Sequence, residues 1–141
     1  MPEIPLNYTA IVIAAVLNMV VGFLWFGPLF GKHWIKMMGF TSADMEKAKK
    51  KGMAPTYVMA FVASLIMAFV LAHSLIFASD YLGVTGPMAG AQAGFWNWLG
   101  FIAPVTAGSV FWEEKSWKLW ALTNGHYLVS LVLMGVVLAV M

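Results

Sequence analysis

The chain has 141 residues, of which 62% are hydrophobic and 10% are charged, and its formal net charge is +2. A soluble domain has about 25% charged and about 45–50% apolar residues, because polar side chains have to cover its surface. The composition therefore excludes an ordinary water-soluble enzyme, a nucleic-acid-binding domain and a disordered chain.

Four long stretches contain no Asp, Glu, Lys or Arg. They lie between Glu3 and Lys32, between Lys51 and Asp80, between Asp80 and Glu113, and after Lys118. Each is longer than the roughly 20 residues that cross a bilayer, and helices are required because backbone groups in hydrocarbon have to bond within their own segment. The pattern predicts an all-α fold: a four-helix transmembrane bundle with antiparallel neighbours. The predicted spans are residues 8–30, 54–77, 88–112 and 119–140, in a single membrane domain of residues 1–141.

The first apolar stretch is expected to remain in the mature protein. No basic residue precedes it, and it is longer than the 7–15 apolar residues of a signal peptide.

The connection between the first two spans is predicted to have structure of its own. Basic and apolar residues alternate over Gly31–Met38, which is typical of a short amphipathic helix at the headgroup level, with Trp34 as its anchor. Gly39 suits a helix end. The run from Thr41 to Asp44 predicts a capping box that starts a second short helix, ending near Gly52.

The lysines predict the orientation in the membrane. All eight basic residues lie in the first and third connections: Lys32, Lys36, Lys47, Lys49, Lys50, Lys51, Lys115 and Lys118. The positive-inside rule places both connections in the cytoplasm and both termini outside. We expect a multi-pass protein of the cell membrane, the inner membrane of a bacterium. A basic loop that only fixes this topology is a simpler interpretation than a ligand site.

Small and polar residues in the spans indicate how the helices associate. In lipid, close backbone approach and hydrogen bonds between helices replace the hydrophobic effect. The second span has five small residues at four-residue spacing, Thr56, Ala60, Ser64, Ala68 and Ala72, which predict a packing seam. The other spans have further candidate seams: Ala14, Asn18 and Gly22 in the first, Gly86, Gly90 and Gly94 in the third, and Ala121, Gly125, Gly135 and Ala139 in the fourth.

Four polar residues at membrane depth form a candidate site: Asn18, Asn97, Asn124 and His126. Intramembrane polar groups usually face the bundle interior. They could line one polar site, in which His126 could relay a proton. Alternatively they form hydrogen bonds between helices, each contributing about 0.6–2 kcal/mol.

The sequence lacks the residues that catalysis and metal binding usually require. The sequence has no cysteine and no arginine, none of the spans contains a carboxylate, and the three histidines lie on separate segments. Catalytic residues, a metal site and a cofactor are therefore not expected, and the chain is interpreted as non-enzymatic.

Two stretches resemble a known family. The first runs from Gly22 to Trp34 and contains Trp25, Pro28, Phe30, Gly31, Lys32 and Trp34; the second runs from Phe111 through Asn124 to Tyr127. Together they resemble a bacterial membrane family, domain of unknown function 1761. The resemblance implies an integral membrane protein with four spans, and it implies no activity, substrate or cofactor.

Two non-enzymatic functions follow from the sequence, and a membrane enzyme is the weakest third hypothesis, because cysteines, acids in the spans and a histidine cluster are absent. The first is a small-solute channel or transporter, which with four helices requires a homo-oligomer. The second is a structural or accessory subunit that packs against a larger membrane complex. The expected partners are membrane lipids and either further copies of the chain or another membrane protein, without nucleic acid.

Overall fold

The computed structural model describes residues 3–141; Met1 and Pro2 lie outside the described part. Every regular element in this range is helical. The α-helices are α1 (Tyr8–Leu24), α2 (Gly31–Met38), α3 (Ser42–Lys51), α4 (Ala54–Leu82), α5 (Pro87–Asn97), α6 (Ala103–Glu113) and α7 (Trp117–Val140). Two π-helical segments, Trp25–Leu29 and Trp98–Ile102, continue α1 and join α5 to α6.

Three helical segments of residues 3–141 are long and apolar enough to cross a membrane. They are Tyr8–Leu29, Ala54–Leu82 and Trp117–Val140, with mean hydropathies of 2.3, 2.3 and 1.6. The stretch predicted as the third span is helical but divided, because the segment Trp98–Ile102 separates two helices of 11 residues each. The α4 helix also continues past the predicted end at residue 77, through Asp80, and ends at Gly83, whose φ of 66° is left-handed.

A proline accompanies each π segment. Pro28 lies inside the first one, and Pro104 follows the second at the start of α6. Proline has no N–H, and its ring clashes with the carbonyl group four residues before it, so a regular helix cannot continue through it. In the first segment the Phe30 N–H donates to the Trp25 carbonyl over 2.9 Å, five residues back. The wider turn accommodates the ring while the neighbouring backbone groups stay bonded.

Helix α7 contacts the other long helices. It packs against α1, α4, α5 and α6, while α1 also packs on α4. The start of α1 and the end of α7 meet, since the Asn7 side-chain amide donates to the Met141 carbonyl over 3.1 Å. The opposite end of the bundle carries the two lysine-containing connections, and we call it the basic end.

The closest helix contact is between α5 and α7. A Cβ atom at Gly90 would overlap the carbonyl oxygen of Gly135, and one at Gly94 would overlap that of Leu131. The two backbones therefore touch, as glycines allow in membrane helices. Beside this contact the core is filled by Leu71 and Met134, which are 2% and 0% exposed.

The seam predicted on α4 is partly covered. Ser64, Ala68 and Ala72 are buried in the bundle, whereas Ala60 is exposed. All ten residues from 51 to 60 are exposed. Towards the basic end, α1 makes its hydrogen bond to α7 through Trp25 and leaves this part of α4 uncovered.

The first connection contains the two predicted short helices. Gly39 ends α2 with a φ of 72°, and α3 begins with a complete capping box between Thr41 and Asp44. Hydrogen bonds from the Thr41 backbone N–H and hydroxyl, 2.9 and 2.8 Å long, hold the pKa of the Asp44 carboxyl below its usual range. No residue of α3 is buried.

The α5–α7 contact yields a test of stability. Gly90→Ala places a methyl group on backbone atoms that cannot rotate away, so we expect the free energy of unfolding to fall by about 1–3 kcal/mol. In the control Gly100→Ala the new atom meets nothing within 4 Å, and the change should stay within about 0.5 kcal/mol. Tryptophan fluorescence during unfolding in detergent measures both; equal stabilities would contradict the contact.

Candidate functional site

The four polar residues predicted as one site lie in separate interactions. Asn18 bonds to α4, Asn97 joins α5 to α4, Asn124 joins α7 to α6, and His126 bonds within α7. The structure therefore assigns three of them to hydrogen bonds between helices. Asn18 and His126 also each retain one polar atom without a partner.

Asn18 connects α1 to the seam on α4. Its side-chain amide donates to the Ser64 hydroxyl over 2.7 Å, and that hydroxyl donates to the Ala60 carbonyl over 2.8 Å. The Asn18 Oδ1 atom is buried and accepts no hydrogen bond. A buried carbonyl oxygen without a donor carries a desolvation cost.

His126 occupies a notch formed by a glycine on α1. It is 8% exposed, and a Cβ atom at Gly22 would lie 3.3 Å from its Nε2 atom. Nε2 lies 3.3 Å from the Ser130 hydroxyl, while Nδ1 is buried without a partner. The Phe26 ring stacks at a tilt, 5.0 Å away between ring centres.

The antiparallel packing of α1 and α7 brings the Asn18 side chain and the His126 side chain to a similar depth in the bundle. Gly22 faces His126; one turn before Gly22 on α1 is Asn18, and one turn after His126 on α7 is Ser130. Because residues four apart share a helix face, we call Asn18, Ser64, His126 and Ser130 the polar layer. Both serines are almost fully buried, at 2% and 0% exposure.

Asn124 belongs to a second polar group between α6 and α7. The Thr106 hydroxyl lies 3.1 Å from its Oδ1 atom, and the Trp120 indole N–H donates to the same hydroxyl over 3.1 Å. The Asn124 amide donates to the Trp120 carbonyl. Asn124 is 1% exposed, so this network uses a fully buried side chain to connect the two helices.

Asn97 lies just before the π segment and faces α4. Its amide donates to the Ser74 hydroxyl and to the Ala93 carbonyl, each over 2.8 Å. It also lines an apolar groove of about 400 Å³ whose walls include Val70, Phe101 and Leu131. This groove contains little polar surface beyond that one amide.

The π segment decides where Asn97 and Thr106 point. In a regular helix, nine residues correspond to about 900°, which would put them on opposite faces. The wider turn takes up one extra residue, so the rotation is closer to about 80° and both side chains face into the bundle. The sequence did not indicate Thr106, because in a regular helix without a π segment this side chain would lie on the face opposite Asn97, towards lipid.

The residues of the family-like motif build the corner between α1 and α2. The Trp25 indole N–H donates to the Leu122 carbonyl over 3.0 Å, and a Cβ atom at Gly125 would lie 3.0 Å from its ring. Trp25 also packs against Phe30, with 4.7 Å between ring centres. Gly31 is required at the corner, since a Cβ atom there would approach the Phe26 carbonyl oxygen to 2.7 Å.

The remaining motif residues lie beside these contacts. Pro28 is inside the π segment, Lys32 is exposed on α2, and Trp34 packs on Phe26 at 5.2 Å. The ring of Tyr127 lies 5.3 Å from that of His126.

A second groove lies at the basic end between α6 and α7. It has a volume of about 490 Å³, and its walls include Thr106, Ser109, Thr123, Tyr127 and Glu113. Three of its hydroxyls already donate to helix carbonyls. In residues 3–141, no three histidine, aspartate or glutamate side chains lie close enough together to hold a metal ion.

The Asn124 network can be tested by a double-mutant cycle. We expect Asn124→Leu and Thr106→Val to be coupled by about 0.6 kcal/mol and at most about 2 kcal/mol, measured as free energies of unfolding in detergent. Asn124→Leu with Ser74→Ala is the matched control, because Ser74 bonds to Asn97 on another helix pair. Additivity of the first pair would show that the hydrogen bond contributes nothing.

Comparison with known proteins identifies the family of the chain. No curated protein and no solved structure is significantly similar to the chain. The sequence model of the family described as "Protein of unknown function (DUF1761)" matches residues 9–139, a range that includes both motif stretches and the helices that carry the polar layer. The chain therefore belongs to the DUF1761 family.

Proposed function

We propose that this chain is a four-span protein of the cell membrane, a single membrane domain with both termini outside. The meeting of Asn7 and Met141 at one end of the bundle supports an even number of crossings. Three crossings would leave the termini on opposite sides, so the divided segment 87–113 is the fourth. Its 27 helical residues extend about 40 Å, and it is free of charge up to Glu113.

Single cysteines test this topology, since the natural sequence contains none. With a membrane-impermeant maleimide, Val84→Cys should be labelled on intact cells, whereas Ser42→Cys and Ser116→Cys should be labelled only after the cells are opened. If Ser116→Cys is labelled together with Val84→Cys, segment 87–113 does not cross and the four-span proposal fails.

As its function we propose a non-enzymatic accessory role: the chain binds a helix of another membrane protein. The observation that carries this proposal is the uncovered start of the α4 seam, where Thr56 and Ala60 are exposed while Ser64, Ala68 and Ala72 are buried. Small residues let helices approach closely in lipid. Asn18, Asn97 and Asn124 already bond within the chain, so packing rather than a polar pathway is what the surface offers.

A homo-oligomeric channel for a small uncharged solute is the second candidate. It is favoured by the polar layer, in which Asn18 Oδ1 and His126 Nδ1 are buried without partners. These atoms provide hydrogen-bonding capacity at membrane depth. Ala14, Leu71 and Met134 are buried in the core of one chain, so a conducting path requires several copies.

Bulky substitutions on opposite faces of α4 test the accessory role. Ala60→Phe should release the chain from its complex in a mild-detergent membrane extract, because the ring prevents close approach of the partner helix. Val62→Phe is the control: it lies about 200° around the helix on an exposed face. Neither substitution should alter the melting temperature of the isolated chain, as both side chains point away from the bundle.

The composition of the wild-type complex separates the two functions. Co-purification with a different membrane protein at a fixed ratio, lost in Ala60→Phe, supports the accessory role. A uniform homo-oligomer contradicts it and favours the channel. A monomer that Ala60→Phe leaves unchanged contradicts both.

A further inference from the structure

The α3 helix is a basic element that the bundle does not use for packing. Its last five positions contain Lys47, Lys49, Lys50 and Lys51, and every residue from 42 to 51 is exposed. We call residues 39–53 the basic arm. A regular helix that buries none of its residues gains no stability from tertiary contacts, and short isolated helices are marginal in water.

The lysine end of the arm lies at the entry of a membrane-length helix. Gly52 and Met53 alone separate Lys51 from the start of α4, so three Cα–Cα steps of 3.8 Å limit the separation of Lys51 and Ala54 to about 11 Å. The 29 residues of α4 extend about 43 Å, whereas the hydrocarbon core is about 30 Å thick. The helix is therefore longer than the core, and its start lies at the headgroup level because Lys51, within about 11 Å of it, is costly to place in hydrocarbon.

The other end of the arm is held at the same level. The ring of Trp34 on α2 packs between those of Phe26 and Phe40, at 5.2 and 5.5 Å between ring centres. Phe26 belongs to the first membrane helix, and Phe40 lies one residue before the Thr41 cap. The α3 helix is thus tethered at both ends to the basic end of the bundle, which keeps it close to the membrane surface.

The charges within α3 are separated along its axis. The Asp44 carboxylate bonds to Thr41 at the helix start, where it complements the positive end of the helix dipole. The four lysines occupy the other end, and Glu46 is the single further acid. The lysine end therefore presents an excess of positive charge that the helix itself does not neutralise.

We propose that the lysine end of the basic arm is a binding site for the headgroups of anionic phospholipids. Lysine clusters next to a membrane helix attract such headgroups as point charges, and the tethering of α3 brings these four lysines to the bilayer without a further conformational change. Binding holds α3 flat on the membrane surface.

Fluorescence quenching on the full chain tests this site. The cysteine-free sequence allows a single Ala48→Cys on α3, labelled with a fluorophore and reconstituted into vesicles of phosphatidylcholine alone or with phosphatidylglycerol. We expect anionic lipid to reduce quenching by acrylamide, a neutral quencher. The protection should disappear in 1 M salt, where the Debye length is about 3 Å. Each lysine replaced by glutamine should raise the phosphatidylglycerol fraction needed for half protection several-fold.

Two controls distinguish the site from general charge attraction. Lys115→Gln with Lys118→Gln removes charge from the other basic connection and should leave the α3 protection unchanged. A label at Val84→Cys, at the opposite end of the bundle, should be insensitive to the lipid.

Two results would overturn the proposal. The first is equal quenching in the two kinds of vesicle, with tryptophan fluorescence showing that the protein is folded in both. Protection that appears in native membranes but not in anionic vesicles without other proteins would show that the arm binds an acidic protein instead.

Discussion

In a bilayer the hydrophobic effect does not drive apolar helices to associate, because lipid tails are as apolar as their side chains. Close backbone contact and a small number of hydrogen bonds have to hold this bundle together. Both kinds of contact converge on α7. Its Gly135 touches Gly90 of α5, its Leu122 carbonyl accepts the Trp25 indole N–H of α1, and its Asn124 bonds to Thr106 of α6.

The π segments make these contacts geometrically possible. Each is associated with a proline that a regular helix cannot accommodate, and each begins with Trp-x-Gly. The first ends α1 with Trp25 directed at α7. The second rotates the following helix by one residue, so that Asn97 faces α4 and Thr106 faces α7. The π turn thus preserves these polar contacts, because in a straight helix one of the two side chains would face lipid.

The features left free by the bundle lie towards the basic end. The uncovered part of the α4 seam, Thr56 and Ala60, lies in the first seven residues of α4, and α4 begins three residues after Lys51. The proposed partner contact and the proposed lipid contact would therefore act on neighbouring parts of the molecule. The polar layer, in contrast, lies between α1, α4 and α7, where Ser64, His126 and Ser130 are buried.

The sequence by itself determined the all-helical fold, the three membrane-length helices, the two short helices of the first connection and the resemblance to the family through the motif around Trp25. These follow from local patterns: runs without charge, a capping box at Thr41, and glycines at helix ends. Hydropathy needs no knowledge of neighbouring helices, since it compares each segment with lipid alone.

The tertiary structure decided which residues meet. It separated Asn97 and Asn124 from Asn18 and His126, gave the closest packing to Gly90 and Gly135, and left Ala60 of the predicted seam exposed. The physical reason is that side-chain direction depends on the accumulated rotation along each helix. One π turn takes up an extra residue and so changes that rotation for every residue after it. A sequence analysed with the regular helical period of 3.6 residues does not reveal this change.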